Sequence, residues 1–278
     1  MLRTLEQLEG CTIRAPDGDV GLVKDLYFDD QTWIVRYLVV KTGTWLANRR
    51  VLISPISIGR SEWLDDIIPV TITQDQVKHS PDIDTHKPVS RQHEADYLAY
   101  YGYPDYWGGI DGWGEGAFPS SLASGSRSEQ DAFRLAREAA HSHDEMANRQ
   151  PADPHLRSAD AVADYHIHAS NGDIGHVEGL LVDVRTWALR YIIANTSNWW
   201  MGHQVAVPVT LIEHVNWLDA TVSLAVTRDT VKTAPSYDSK AMLDRREEIR
   251  IHKHYGRPGY WDDASPTPPP TPPSHAAL

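Results

Sequence analysis

Two long stretches of this chain are built from short apolar runs separated by turn dipeptides, the pattern of consecutive β-strands. Thr12 to Ala15 leads into Pro16-Asp17-Gly18-Asp19, and Val20 to Phe28 follows. Asp-Gly accepts the positive φ that a hairpin corner requires, so these residues predict a hairpin. Asp29 to Thr32 is the next turn. Trp33 to Val40 is then the clearest strand: Trp33, Val35, Tyr37 and Val39 alternate with Ile34, Arg36, Leu38 and Val40. Both rows are largely apolar, which predicts burial on two faces. Val51 to Ile53, a hairpin over Trp63-Leu64-Asp65 and a strand over Ile67 to Ile72 complete a small barrel or sandwich. A helical turn begins at Asp75 to Lys78. A second helix over about Ser90 to Tyr101 stops at Gly102 and Pro104.

The pattern then returns 154 positions later. Thr32-Trp33 recurs as Thr186-Trp187, Arg36-Tyr37 as Arg190-Tyr191, Trp63-Leu64-Asp65 as Trp217-Leu218-Asp219, and Tyr106-Trp107 as Tyr260-Trp261. A repeat of this length is a whole domain able to enclose its own core, unlike a solenoid unit. Its second copy predicts a hairpin over Ser170-Asn171-Gly172-Asp173, a doubly buried strand from Trp187, and a helix over about Ser239 to Tyr255. Two copies on one chain imply a dimer-like body with approximate two-fold symmetry. The expected fold is therefore mainly β with short helices: two tandem small β-barrels, each followed by C-terminal helices and packed as a pseudo-two-fold pair. The first repeat with its helical extension is assigned to 1–108 and the second to 154–263. Residues 109–153 form a Gly/Ser loop and tether helix, and 264–278 a disordered proline-rich tail.

Gly18-Asp19-Val20-Gly21 and Gly172-Asp173-Ile174-Gly175, the Thr-Trp-x-x-Arg-Tyr stretches from Thr32 and Thr186, and Val51-Leu52-Ile53-Ser54-Pro55 resemble the PRC-barrel domain. That small β-barrel is shared by the cytoplasmic part of the photosynthetic reaction centre H subunit and the C-terminal domain of a ribosome-maturation factor. Arg91-x-x-Glu94 and the Tyr-Gly-x-Pro-x-Tyr-Trp stretch ending at Trp107 resemble the extension of stand-alone bacterial PRC-barrel proteins. The resemblance implies a protein–protein or adaptor module. Two features depart from the named relatives. No apolar run matches the membrane helix that anchors the H subunit, and the net charge of −12 is hard to square with an RNA-processing role.

Charge and composition narrow the function classes. An acidic chain with no local block of Lys and Arg repels phosphate backbones, so no nucleic-acid partner is expected. No apolar run approaches the ~20 residues of a membrane-spanning helix. Cys11 is the single cysteine and its counterpart is Tyr165, which fits an inert thiol and a reducing, cytoplasmic setting. The fourteen histidines invite a metal reading, and His166 and His168 share a strand face with His176 across the hairpin. The first copy has Thr12, Arg14 and Leu22 at those places, so no metal site is predicted. His252 and His254 are expected to be solvated.

No catalytic motif is present, no catalytic residue is assigned and no cofactor is expected. Asp29 and Arg36 span one hairpin and are expected to form a salt bridge. Trp33, Arg36, Tyr37, Trp187, Arg190 and Tyr191 are predicted to line an interface between the repeats, with Arg36 and Arg190 paired to acids there. The adjacent Trp199, Trp200 and Met201 are a candidate patch for a partner. The function that follows is a non-enzymatic scaffold or adaptor with an unknown protein partner. The alternatives are a small-molecule or cofactor binder at the junction between repeats and a peripheral component of a membrane complex.

Overall fold

The computed structural model describes residues 1–58, 66–81, 91–104, 113, 118–119, 155–196, 203–239 and 243–262. Thirteen strands are assigned among them. In the first half these are β1 (Leu2–Thr4), β2 (Thr12–Ala15), β3 (Gly18–Asp29), β4 (Ile34–Thr42), β5 (Arg50–Ile53) and β6 (Ile67–Pro69). In the second they are β7 (Leu156–Ser158), β8 (His166–Ala169), β9 (Gly172–Asp183), β10 (Ala188–Asn195), β11 (Gln204–Pro208), β12 (Ile212–Asn216) and β13 (Thr221–Leu224). Short helices follow the strands in each half: Gln74–Lys78 and Arg91–Tyr101 in one, Arg228–Lys232 and Arg245–His254 in the other. The protein is mainly β, as the apolar pattern predicts.

The chain divides into two compact units. One holds Leu8–Asp30 and Val35–Arg157, and is called here the first-repeat unit. Its strands run in the order β6-β2-β3-β4-β5, antiparallel except that β2 and β6 are parallel. The other holds Met1–Gln7, Gln31–Ile34 and the chain from Ser158 onward. Its order is β11-β10-β9-β8-β13-β12, again with one parallel pair, β8 with β13. Matching pairs in the two units lie at matching registers: Thr12 faces Ile67 as His166 faces Thr221.

Local chemistry explains these elements. Gly18 and Gly172 hold φ of 146° and 135° at the hairpin corners, a region that L side chains rarely enter. The neighbouring Asp17 and Asn171 side chains accept hydrogen bonds from the first backbone N–H groups of the short helices, at Gln74 and Arg228, both at 2.8 Å. The turn chemistry thus also caps the helix that packs over it. Thr73 and Gln76 complete a capping box on the first of these helices. Gly21 and Gly175 serve a different need. A Cβ on Gly21 would collide with the Lys41 carbonyl, and one on Gly175 with the Asn195 carbonyl. Only a bare backbone lets β3 lie so close to β4, and β9 to β10.

The core sits on the long central strands. Val35, Tyr37, Leu38, Val39 and Val40 are all buried, which confirms the two-sided burial predicted for β4; Leu189, Tyr191, Ile192 and Ala194 repeat it on β10. At about 1.5–3 kcal/mol per fully buried large apolar side chain, these two strands contribute strongly to the stability of their units.

Three sequence expectations need correction. Trp33 and Trp187 are not strand residues: they are buried in the turns before β4 and β10, at left-handed φ of 56° and 59°. The Asp183 carboxylate shapes the second of these turns by accepting from the Arg185 N–H at 3.2 Å and the Thr186 hydroxyl at 3.0 Å. The C-terminal helix begins at Arg245 rather than near Ser239, because Asp244 caps it by accepting from the Glu247 N–H at 2.9 Å. Finally, the opening residues carry strands that the apolar pattern does not show. β1 pairs with β9, Leu2 opposite Asp183 and Thr4 opposite Leu181, inside the second-repeat unit. β7 pairs with β3. The first-repeat unit fastens that segment through Asp30, whose N–H donates to the His155 carbonyl at 2.8 Å and whose carboxylate meets Arg157 Nε at 2.9 Å.

The tether over 128–149, the proline tail, the Trp63 hairpin and Trp107 lie outside the described residues. So does the Trp199-Trp200-Met201 patch.

Candidate functional site

Each repeat places a tyrosine at the same point of its central strand and a glutamate on the helix that covers it. Tyr37 on β4 donates to Glu94 Oε1 at 3.0 Å, and the Tyr191 hydroxyl on β10 lies at hydrogen-bond distance, 3.1 Å, from Glu248 Oε1. Glu94 and Glu248 are 1% and 3% exposed, so both carboxyl groups are committed to the protein interior. A buried carboxylate is tolerated only when hydrogen-bonded or ion-paired. The joint between strand and helix supplies those partners.

In the first-repeat unit the rest of the joint is aromatic. Tyr97, one helical turn after Glu94, meets Tyr37 edge-on at 5.2 Å between ring centroids. Its hydroxyl donates to the Leu52 carbonyl and accepts from the Ser54 N–H, both at 3.0 Å, so the helix is also fixed to the end of β5. Tyr101 stacks on Tyr103 at 5.6 Å. Burial raises the phenol pKa of Tyr101 to about 12 and lifts Tyr97 well above its ordinary value. Both phenols stay protonated, and that of Tyr97 is the donor to the Leu52 carbonyl.

The second-repeat unit answers with charge. Glu248 Oε1 accepts from the Tyr260 hydroxyl at 2.7 Å, and its Oε2 meets Arg245 at 3.0 Å. Arg190 lies over the Tyr260 ring at 4.1 Å and Arg245 over Trp261 at 4.0 Å, both within cation–π range. Burial lowers the Arg190 pKa, opposed first by Asp183. His252 reaches Tyr191 through Nε2 at 3.0 Å and the Pro258 carbonyl through Nδ1 at 2.7 Å. The expectation of a solvated His252 is therefore wrong: the ring is 6% exposed and bonded at both nitrogens. His254 is also engaged, to the Thr230 carbonyl at 2.7 Å. Helical periodicity could have shown this, since His252 is four residues after Glu248 on one helix face.

The residues predicted from sequence to line an interface resolve as follows. Trp33 lies in the turn segment counted with the second-repeat unit. Arg36, 2% exposed, reaches Asp29 at 3.9 Å and lies over the Trp113 ring at 5.0 Å. The hairpin-spanning Asp29–Arg36 pair is thus present. Arg190 donates to Thr186 Oγ1 at 3.3 Å. Trp187 is 1% exposed. Tyr37 and Tyr191 hold helices within their own units, a role the sequence reading did not give them. His168 pairs with Asp173 across its hairpin, and no cluster of three metal-ligating side chains occurs among the described residues. One open depression, about 330 Å³ in volume, lies at the end of the C-terminal helix beside His252, Lys253, Arg257 and Trp261.

These features belong to a mainly β fold with a few short helices. Residues 3–77 match the PRC-barrel domain family, so the first repeat carries a PRC-barrel domain. No curated protein matches the chain.

Proposed function

We propose that this protein is a non-enzymatic scaffold built on two PRC-type barrels, the second formed by the repeat from residue 154 onward, and that it presents surfaces to a protein partner in the cytoplasm. A PRC-barrel domain suits a scaffold or adaptor module. The observation that carries the reading is how the repeats use their shared buried polar side chains. Tyr37 with Glu94, and Tyr191 with Glu248, fasten a helix to a strand. Acids, phenols and an imidazole that could serve acid–base chemistry are engaged as structural ties, so the product of each fold is a rigid surface. The formal net charge of −12 favours a partner with a basic face. No described helix is long and apolar enough to cross a membrane.

The test has two arms on the full chain. Immobilised protein should retain a defined partner from extracts of the source cell, and free protein should compete it away. Native mass spectrometry of freshly purified material should show the bare polypeptide mass. A stoichiometric small molecule that survives purification would overturn the scaffold reading.

A further inference from the structure

His252 stands where the first repeat has Leu98, 154 positions earlier. The substitution inserts a titratable ring into an otherwise matching Tyr–Glu joint, and the hydrogen bonds around it can be counted. The Pro258 carbonyl only accepts, so the 2.7 Å contact requires a proton on His252 Nδ1. In the neutral ring Nε2 is then bare, and its 3.0 Å contact is filled only by the proton of the Tyr191 hydroxyl. That hydroxyl has one proton. The 3.1 Å contact from Tyr191 to Glu248 Oε1 is left with no hydrogen, while Tyr260 and Arg245 continue to serve the carboxylate. Adding one proton at Nε2 removes the shortage: Nε2–H donates to the Tyr191 oxygen, and the Tyr191 hydroxyl turns to Glu248.

We propose that His252 makes this joint a proton-responsive clasp, in which uptake of one solvent proton by the ring swings the Tyr191 hydroxyl from His252 to Glu248. His252 forms part of the wall of the open depression at the helix end. Titratable and charged groups surround the ring. Its own helix supplies Glu248 and β10 the Tyr191 hydroxyl, while Lys253 lines the same depression and Arg245 and Arg190 lie over the neighbouring Trp261 and Tyr260 rings. The segment after the helix supplies Arg257, Tyr260 and Asp262. Burial pulls the imidazole pKa below its ordinary value, against the opposing pull of the Pro258 carbonyl and Glu248. The unfolded chain therefore binds this proton more readily than the folded one. Stability present above pH ~6.5 is lost as the pH falls from there toward the folded-state pKa. The hydrogen bond gained on protonation is outweighed by the cost of burying the imidazolium, the cause of the lowered pKa, so acid weakens this joint. The first repeat has the non-titrating Leu98 at the same place.

The experiment compares melting of the full chain with that of His252→Leu, which restores the first repeat's residue. The wild-type Tm should fall relative to the variant between pH 7.5 and 5, and parallel curves would overturn the proposal. Side-chain nitrogen NMR of the wild-type chain, with His252→Gln for assignment, gives a readout independent of variant stability. At pH 7.5 the ring should carry its proton on Nδ1, with Nε2 as acceptor, and gain the second proton only below pH ~6.5. A ring protonated on Nε2 alone at pH 7.5, or one that never titrates while the chain remains folded, would refute the clasp.

Discussion

Tyr191 sits between an imidazole and a carboxylate, and both lose a partner if its hydroxyl is removed. Tyr191→Phe should cost about 1–3 kcal/mol in chemical denaturation, the usual penalty for stranding buried polar groups. Tyr37→Phe strands one carboxylate contact and should cost less. Arg36 supplies a second residue-scale test. Its guanidinium is buried beside Asp29, so Arg36→Ala leaves a buried charge without its counter-ion and should destabilise by about 3–5 kcal/mol. Arg36→Met fills the same space and should be milder than Ala, and equal melting of all three proteins would remove the ion pair from the account. The Arg36–Asp29 pair was legible in the sequence because a guanidinium among apolar strand residues demands an acid close by. The role of His252 was not, because its meaning depends on Tyr191, 61 positions away in the chain.

At the scale of elements, hairpins and central strands follow from turn dipeptides and β-branched runs, and the structure reproduces them with small shifts. The glycines in these hairpins have a second duty that no dipeptide rule reports. Gly21→Ala and Gly175→Ala each push a methyl into a facing backbone carbonyl, and each should cost about 1–3 kcal/mol or more in thermal or urea melts. Substitution of Gly10, around which a Cβ meets nothing within 4 Å, tests positive-φ strain alone and should be cheaper than a collision with backbone. The start of the C-terminal helix does not follow from propensity, because helix-forming residues precede Asp244 in the sequence while the cap decides where the N–H groups find a partner. Asp244→Ala should lower stability by about 0.5–2 kcal/mol.

For the molecule as a whole, the units do not coincide with the repeats. Met1–Gln7 is counted with the second-repeat unit, and Leu2 is 5% exposed there. Leu2→Asp should therefore raise amide hydrogen exchange at Leu181–Asp183 of β9, the residues that β1 faces, before it affects Gly18–Asp29 of β3. Faster exchange confined to β3 would contradict the unit assignment. The strands, the hairpins, the duplication and the PRC-barrel resemblance were readable from order and spacing, because apolar periodicity and turn chemistry act between near neighbours in the chain. Which unit claims the opening strand, where the αL tryptophans turn, and how Tyr, Glu, His and Arg share protons were settled only by folding. The opening strand and the tyrosine–glutamate joints depend on groups 57 to 182 positions apart being brought within about 3 Å, and local sequence carries no record of such distances.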